Sequence, residues 1–137
     1  MKQYILFILS LLCVASCTEY GQMGEWDDNI FLSTRSVALN GTGDTVTVNT
    51  KGKNWWISTI EVDGEVMYYP NDSTENWNMY QTGKFNQKCD WLNVRVDDWT
   101  LYISADDNFR KERTFKITLE SGDYFDHISG TQKIKNQ

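Results

Sequence analysis

Apolar and polar residues alternate in short runs through most of the chain, and turn-forming residues separate the runs. Val46 and Val48, for example, alternate with threonine and asparagine, which is the period of a strand with one buried face. No segment carries apolar residues at helical spacing over three turns. The pattern therefore predicts an all-β fold, an antiparallel β-sandwich of about seven or eight strands. The predicted strands cover 31–39, 45–49, 55–62, 65–69, 91–96, 99–103, 113–119 and 124–132.

Turn signals lie where these strands are expected to end. Trp56 and Trp91 fall at alternating positions of strands that the pattern buries, so we expect both indole rings in the core. The turns are predicted at Asn40–Asp44, Asp63-Gly64, Pro70, Asp97-Asp98 and Ser121–Asp123.

The N-terminus has the composition of a cleaved targeting segment. Lys2 precedes the apolar run Ile5–Ala15, which would span only about 16 Å as a helix, or half of a bilayer's hydrocarbon core. The residues Val14–Cys17 resemble a bacterial lipobox, in which small residues precede the cysteine that is lipidated. Residues 1–16 are then a lipoprotein signal peptide and Cys17 is the lipidation site. The alternative is an ordinary secretory signal with a cysteine nearby.

Residues 17–30 lack apolar periodicity, and we expect them to form a lipid-anchored tether. The acidic residues of this segment resemble the export signal of surface lipoproteins in the Bacteroidota, and a solvated linker explains them equally well. We therefore expect a protein that is held in the outer membrane by its N-terminal lipid and faces the cell surface.

Composition and charge narrow the function classes. Loss of residues 1–16 removes Lys2, leaving 12 basic against 19 acidic residues and a net charge of −7. This balance argues against nucleic-acid binding, which needs clustered lysine and arginine. One histidine and three cysteines supply no Cys/His zinc site, and no cofactor is expected. With Cys17 lipidated, Cys89 is the remaining thiol, so an intramolecular disulfide is excluded.

The order of several short motifs resembles the BACON domain over about 31–133. The strongest elements are the spacing between Asn108 and Arg113 and the terminal Gln132. An asparagine at 108 suits a turn before a strand, and the arginine at 113 can donate a hydrogen bond to a loop carbonyl. This family is an immunoglobulin-like module common in Bacteroidota lipoproteins and carbohydrate-active enzymes. The resemblance thus implies an immunoglobulin-like sandwich over 31–137 and a connection with glycans. In chain order the motifs are Trp56, Trp91-Leu92, 101–108, 113–119, 121–123 and 128–132.

The chain departs from this family in an aromatic-rich insertion at about 63–90, where the family has a short link. Because disordered segments lack aromatic residues, we expect an ordered loop. A sugar-binding surface stacks an aromatic ring on the C–H face of a pyranose, while amides and carboxylates bind its hydroxyls. Alternatively, Trp77 and one tyrosine cap the open end of the sandwich. The candidate ligand-binding residues are Tyr68, Tyr69, Asn71, Asp72, Trp77, Asn78, Tyr80 and Gln81.

Two kinds of weaker motif remain. Asp97-Asp98 and Asp106–Asn108 carry oxygen ligands suitable for calcium, but they lack EF-hand spacing and are better explained as turns. The triplets Asp44–Val46 and Asp72–Thr74 resemble short O-glycosylation acceptors of the Bacteroidota.

We expect no enzyme activity. His127 is predicted at the surface, and Cys89 has no motif partner for nucleophilic catalysis. A carboxylate pair for glycoside hydrolysis is a residual alternative. The leading hypothesis is non-catalytic binding of carbohydrate or mucin glycan through residues 68–80. The rival hypothesis is an accessory subunit whose aromatic loop docks onto an outer-membrane partner protein, because aromatic residues also anchor protein interfaces.

Overall fold

Nine strands and one helix lie within residues 28–135, the part of the chain that the computed structural model describes. The helix is α1 (Ser73–Thr82), and it separates the first four strands from the last five. The strands are β1 (Ser36–Leu39), β2 (Thr45–Val48), β3 (Trp56–Val62), β4 (Glu65–Tyr68), β5 (Phe85–Cys89), β6 (Leu92–Asp97), β7 (Thr100–Ala105), β8 (Arg113–Ser121) and β9 (Tyr124–Gln132).

The strands form two sheets that pack face to face. One has five strands in the order β1-β9-β8-β3-β4, and the other has four in the order β2-β7-β6-β5. Neighbouring strands pair antiparallel except β1 and β9, which are parallel at one edge. The predicted immunoglobulin-like β-sandwich is confirmed. The parallel pairing of β1 with β9 was not predicted, and the predicted strands did not include β5.

Tight turns join several antiparallel neighbours. Between β3 and β4, Asp63 and Gly64 have φ angles of 50° and 86°, and between β6 and β7, Asp98 and Trp99 have φ angles of 45° and 55°. Two successive residues with positive φ suit a two-residue hairpin, because that turn matches the twist of the strands. The turn at Asp63-Gly64 is thus confirmed, and the turn predicted at Asp97-Asp98 lies one residue further on.

The core lies between the two sheets, and alternate side chains of each strand enter it. On β6, for example, Leu92, Val94 and Val96 are buried. The indole of Trp91 is also buried, as predicted, and meets the ring of Phe115 edge-on with 6.3 Å between ring centroids.

The expectation that Trp56 lies in the core was wrong. Trp56 is half-buried on the outer face of β3, whereas its neighbour Trp55 is fully buried. Alternate residues of a regular strand share one face, so the buried residues Ile60 and Val62 predict that Trp56 also faces the core. A bulge at 57–59 adds one residue to the strand, and this reverses which of the two tryptophans faces the core.

The insertion at 63–90 is not a loop, as was expected, but contains β4, α1 and β5. The sequence of the helix has no apolar stripe, and Met79 is accordingly its one buried residue. β4 is the edge strand of the five-stranded sheet, and β5 is the edge strand of the four-stranded sheet. α1 therefore crosses from one sheet to the other along the side of the sandwich.

The folded domain begins before Phe31, where the tether was expected to end. Ile30 is fully buried, and the Asp28 carboxylate accepts hydrogen bonds from the backbone N–H groups of Ile30 (3.0 Å) and Phe31 (2.8 Å). The predicted signal peptide (1–16), the predicted lipidation site Cys17 and residues 18–27 of the predicted tether lie outside the described residues. Between residues 28 and 135, no helix is long and apolar enough to cross a bilayer.

Two buried amide side chains hold the loops at the end of the sandwich where β8 begins. The Gln132 amide donates to the carbonyls of Asn40 (3.0 Å) and Asp106 (2.8 Å). The Asn108 amide donates to the carbonyl of Lys133 (3.2 Å). Both side chains are fully buried, so these hydrogen bonds give partners to amide N–H groups that would otherwise be buried without them.

The adjoining loop carries the aspartates considered as calcium ligands. The Asp106 carboxylate accepts a hydrogen bond from Lys88 (2.7 Å), and that of Asp107 accepts one from Lys135 (2.6 Å). Arg113 reaches the carbonyl of Asp107 at 3.5 Å, the loop contact expected of it. Over the described range, no group of three or more His, Cys, Asp or Glu residues could hold a metal ion.

Candidate functional site

Helix α1 is capped at both ends, and this fixes the aromatic residues that it carries. The Asp72 carboxylate accepts hydrogen bonds from the backbone N–H groups of Thr74 (2.8 Å) and Glu75 (3.2 Å), which lower the pKa of Asp72. At the other end Gly83 adopts the left-handed conformation, with φ of 60°, and donates its N–H to the carbonyl of Met79 (2.8 Å).

The Glu75 carboxylate also fixes the segment before the helix. It accepts hydrogen bonds from the Tyr68 hydroxyl (3.3 Å) and from both the backbone and side-chain amides of Asn71 (3.3 and 3.2 Å). Burial, together with the nearby Glu75 carboxylate, raises the pKa of Tyr68 to about 12. Three of the predicted ligand-binding residues, Tyr68, Asn71 and Asp72, therefore contribute to the network that positions α1.

Three aromatic rings group beside α1. Trp77 and Tyr80 lie three residues apart on the helix, and their rings stack with 5.4 Å between centroids and 12° between planes. Trp56 reaches the group from β3, with its ring centroid 6.1 Å from that of Tyr80. Trp77 is 62% exposed. The stacked pair therefore presents an aromatic surface to solvent.

A cleft of about 520 Å³ opens beside these rings, and its walls are mostly apolar. The Asn54 amide donates to the carbonyl of Tyr80 (2.9 Å), and the Asn54 carbonyl accepts a hydrogen bond from the Ser121 hydroxyl (3.2 Å). The Trp56 indole N–H donates to the Glu120 carboxylate (3.2 Å), which holds the ring against the cleft. The lining residues are Asn29, Lys53, Asn54, Trp56, Ser73, Asn76, Trp77, Tyr80, Ser121 and Gly122.

The eight predicted ligand-binding residues do not share one cleft. Trp77 and Tyr80 lie together in this aromatic cleft. The other six surround α1 on different sides. Tyr68 and Asn78 line a second cleft, and Tyr69, Asn71 and Asp72 line a third cleft. Gln81 is exposed and lines none of these three clefts.

Several cleft residues were not identified from the sequence, because they come from outside the insertion. Lys53, Asn54 and Trp56 precede or begin β3, and the pairing of Trp56 with Glu120 brings the turn after β8 beside them. The double tryptophan was a usable signal. Successive side chains of a strand face opposite sides of the sheet, so one of Trp55 and Trp56 had to face outward.

The residues considered for catalysis lie apart from the aromatic cleft. His127 is exposed on β9, which confirms its predicted surface position. Cys89 is 2% exposed, and burial raises the pKa of its thiol. A buried thiol with a raised pKa is a poor nucleophile, because the thiolate is the reactive form.

Comparison with known proteins identifies the fold. No family model and no curated protein matches the chain. An NMR structure of a protein from Bacteroides thetaiotaomicron is similar, with a TM-score of 0.62 and 18% sequence identity. The similarity covers 87% of this chain and 98% of that chain. At this level of identity the likeness extends to the β-sandwich and carries no information about ligands.

Proposed function

We propose that this protein is a non-catalytic binding module for carbohydrate, including mucin glycans, carried on a surface lipoprotein of the BACON type. The observation that carries the proposal is the stacked pair of Trp77 and Tyr80 in the lining of the aromatic cleft. The two rings are stacked with nearly parallel planes, and the exposed Trp77 ring presents an apolar face to solvent. Exposed apolar surface of this kind is typical of binding sites.

The geometry suits a sugar for two reasons. The Trp77 ring is flat, apolar and exposed, so the face that it turns away from Tyr80 can cover the C–H face of a pyranose. The cleft beside it presents the side-chain amides of Asn54 and Asn76 and the hydroxyl of Ser73, which are groups that hydrogen-bond sugar hydroxyls. Apolar stacking then supplies affinity, and the polar groups select the arrangement of hydroxyls.

Binding is tested on a glycan array and then by calorimetry with the sugars that bind. We expect Trp77→Ala to weaken binding about tenfold or more, which corresponds to about 1.4 kcal/mol. Phe109→Ala is the matched control, because Phe109 is 64% exposed and lies in the loop before β8, at the other end of the sheet from Trp56. Absence of any glycan ligand, or equal binding by the Trp77→Ala variant and the wild type, would refute the proposal.

The proposed location depends on Cys17. Lipidation there would hold the protein in the outer membrane, with the sandwich joined through the tether. Cys17→Ser is expected to abolish labelling by radioactive fatty acid and to release the protein from membranes. Cys89→Ser, which removes the buried thiol instead, is the control and should label normally. Labelling that persists in Cys17→Ser would contradict the lipobox interpretation.

A second candidate function is docking to an outer-membrane partner protein, and a different surface favours it. Edge strand β4 exposes Val66 (60%) and Met67 (46%), and Tyr69 just beyond it is 70% exposed. Exposed edges of this kind can accept a strand from another protein. Crosslinking in intact cells, compared between wild type and Val66→Lys, distinguishes the candidates: a partner lost in that variant favours docking, whereas glycan binding should be unaffected by it.

A further inference from the structure

The charge of the aromatic cleft differs from that of the whole chain. The chain has a net charge of −6, yet Lys53 is the one residue among the described lining residues that carries a formal charge at neutral pH. The remaining polar lining groups are neutral amides and hydroxyls. An anion that enters this cleft therefore meets a cation and uncharged hydrogen-bond donors, with no carboxylate in the wall.

The Lys53 ammonium is available for a further contact. It lies 3.9 Å from the Asp98 carboxylate, and the two side chains are 63% and 83% exposed. An exposed pair at that distance contributes little, because water screens it. The ammonium also lies 5.2 Å from the centroid of the Trp99 ring. Asp98 and Trp99 belong to the turn between β6 and β7 and do not line the cleft, so the Lys53 side chain would turn its ammonium from them toward a ligand.

The carboxylate of Glu120, which lies next to the Trp56 indole N–H, is already engaged in a hydrogen bond. Glu120 pairs with Trp56 across β3 and β8, and its carboxylate accepts the hydrogen bond of the Trp56 indole (3.2 Å). Glu120 lines the third cleft, with Tyr69 and Asn71, and is not part of the wall of the aromatic cleft. Glu120 and Lys53 therefore line different clefts.

We propose that the ligand of the aromatic cleft is an acidic sugar, whose carboxylate faces Lys53 while its ring stacks on Trp77. This inference rests on the proposed carbohydrate-binding function. The chemistry permits both contacts together: in a hexuronate the carboxylate projects from the edge of the ring, so a C–H face remains free to stack. The neutral amides of the cleft then meet the hydroxyls.

The test compares neutral sugars with uronates of the same configuration, in matched pairs of the gluco, galacto and manno series. NMR titration of the full chain measures each affinity and follows the indole N–H signals of Trp56 and Trp77. We expect at least one uronate to bind about two- to fivefold more tightly than its neutral partner, the range of an exposed ion pair. The preference should shrink when salt is raised from about 0.05 M to about 0.5 M.

Lys53→Met is the informative variant, because it keeps the aliphatic stem and removes the charge. It should reduce the ratio of the uronate affinity to the neutral-sugar affinity to about one. Lys51→Met is the matched control, since Lys51 is exposed two residues earlier and does not line the aromatic cleft. This control variant should keep the full preference.

The possible failures are distinguishable. Equal binding of every uronate and its neutral partner, with loss of both in Trp77→Ala, overturns the acidic-sugar inference and leaves the proposed function intact. Absence of binding by all of these sugars and by a wider glycan array overturns both. Concentration-dependent dimerisation that Trp77→Ala abolishes would mean that a second copy fills the cleft, which also overturns both.

Discussion

The sulfur of Met79 accepts a hydrogen bond from the backbone N–H of Ile57, with 3.4 Å between the two atoms. β4 pairs with β3 from Ile60 to Val62 and so does not extend to this amide. Met79 is 3% exposed and is the buried residue of α1. The contact therefore fills the place of a missing strand partner and attaches the helix, with its aromatic rings, to the sandwich.

Met79→Ala should destabilise the protein by about 2–4 kcal/mol, the usual cost of truncating a buried methionine. The measurement is the free energy of unfolding in urea. Met79→Leu keeps most of the volume and should cost less than about 1.5 kcal/mol. Asn78→Ala, an exposed change on the same helix, is the control and should stay within about 0.5 kcal/mol of the wild type. Equal stability of Met79→Ala and Asn78→Ala would show that the helix is not held by this contact.

A comparison of alanine substitutions at Gly83 and Gly64 separates the effect of backbone strain from that of steric contact. Both have positive φ, 60° and 86°. A Cβ added at Gly83 would lie 2.6 Å from the Trp99 ring, whereas one added at Gly64 would have no atom within 4 Å. Gly64→Ala should therefore lose about 1–2 kcal/mol from strain alone. Gly83→Ala should lose about 1–3 kcal/mol more from the contact with Trp99. Urea unfolding of both variants measures the difference, and equal losses would contradict the contact.

The cap of α1 makes stability depend on pH in the acid range. Hydrogen bonds from the backbone of Thr74 and Glu75 lower the pKa of Asp72 below its usual value of 3.8. A lowered pKa in the folded state means that the cap's contribution is complete above that usual value and is lost as the pH falls through the folded-state pKa. Asp72→Asn keeps a capping side chain without a titrating group. It should therefore lose less stability than the wild type on acidification.

The measurement is the midpoint of urea unfolding at a series of pH values between about 6 and 2, for the wild type and Asp72→Asn. Asp44→Asn is a control for removing a carboxylate from a turn elsewhere on the sandwich. If the midpoints of the wild type and Asp72→Asn fall in parallel with pH, then the Asp72 carboxylate does not contribute through its cap.

The strands and turns were largely predictable from the sequence, because a half-buried sheet imposes a two-residue period that Val94 and Val96 display directly. The helix was not predicted from periodicity, since its burial depends on the single residue Met79. Its terminal signals were nevertheless present: Asp72 at the N-cap, Glu75 three residues later and Gly83 after the last turn. Local capping chemistry was thus the better guide where the apolar pattern was weak.

The site was predictable only in part, for a geometric reason. Trp77 and Tyr80 share the aromatic cleft because three residues along a helix return to the same face. The third ring, Trp56, depends on the phase of β3, which the bulge reverses. Lys53 reaches the cleft because the segment before β3 lies against α1, where the neighbouring Asn54 amide donates to the Tyr80 carbonyl. Such a long-range contact leaves no trace in the local sequence.

The guanidinium of Arg35 forms a two-point contact with the Asp126 carboxylate, at 2.8 Å and 2.6 Å, and a third contact with Asp28 at 3.1 Å. Asp126 is 5% exposed, whereas the Arg35 side chain is 50% exposed. Loss of Arg35 would leave a buried carboxylate without its cation, and that is more harmful than loss of both partners. Arg35→Met should therefore lower the thermal midpoint more than the double change Arg35→Met with Asp126→Leu.

Asp28 lies two residues before the buried Ile30, so its contact with Arg35 also fixes the segment that leads into the sandwich. Limited proteolysis of Arg35→Met should cut the segment before β1 faster than in the wild type, because the segment has lost its ionic contact with β9. Lys88→Met, which removes the contact with Asp106 at the surface, is the control and should leave cleavage there unchanged.

If the double variant is the least stable of the three, the buried carboxylate is compensated by groups other than Arg35. The backbone N–H of His127, 2.8 Å from Asp126, would then be the principal partner.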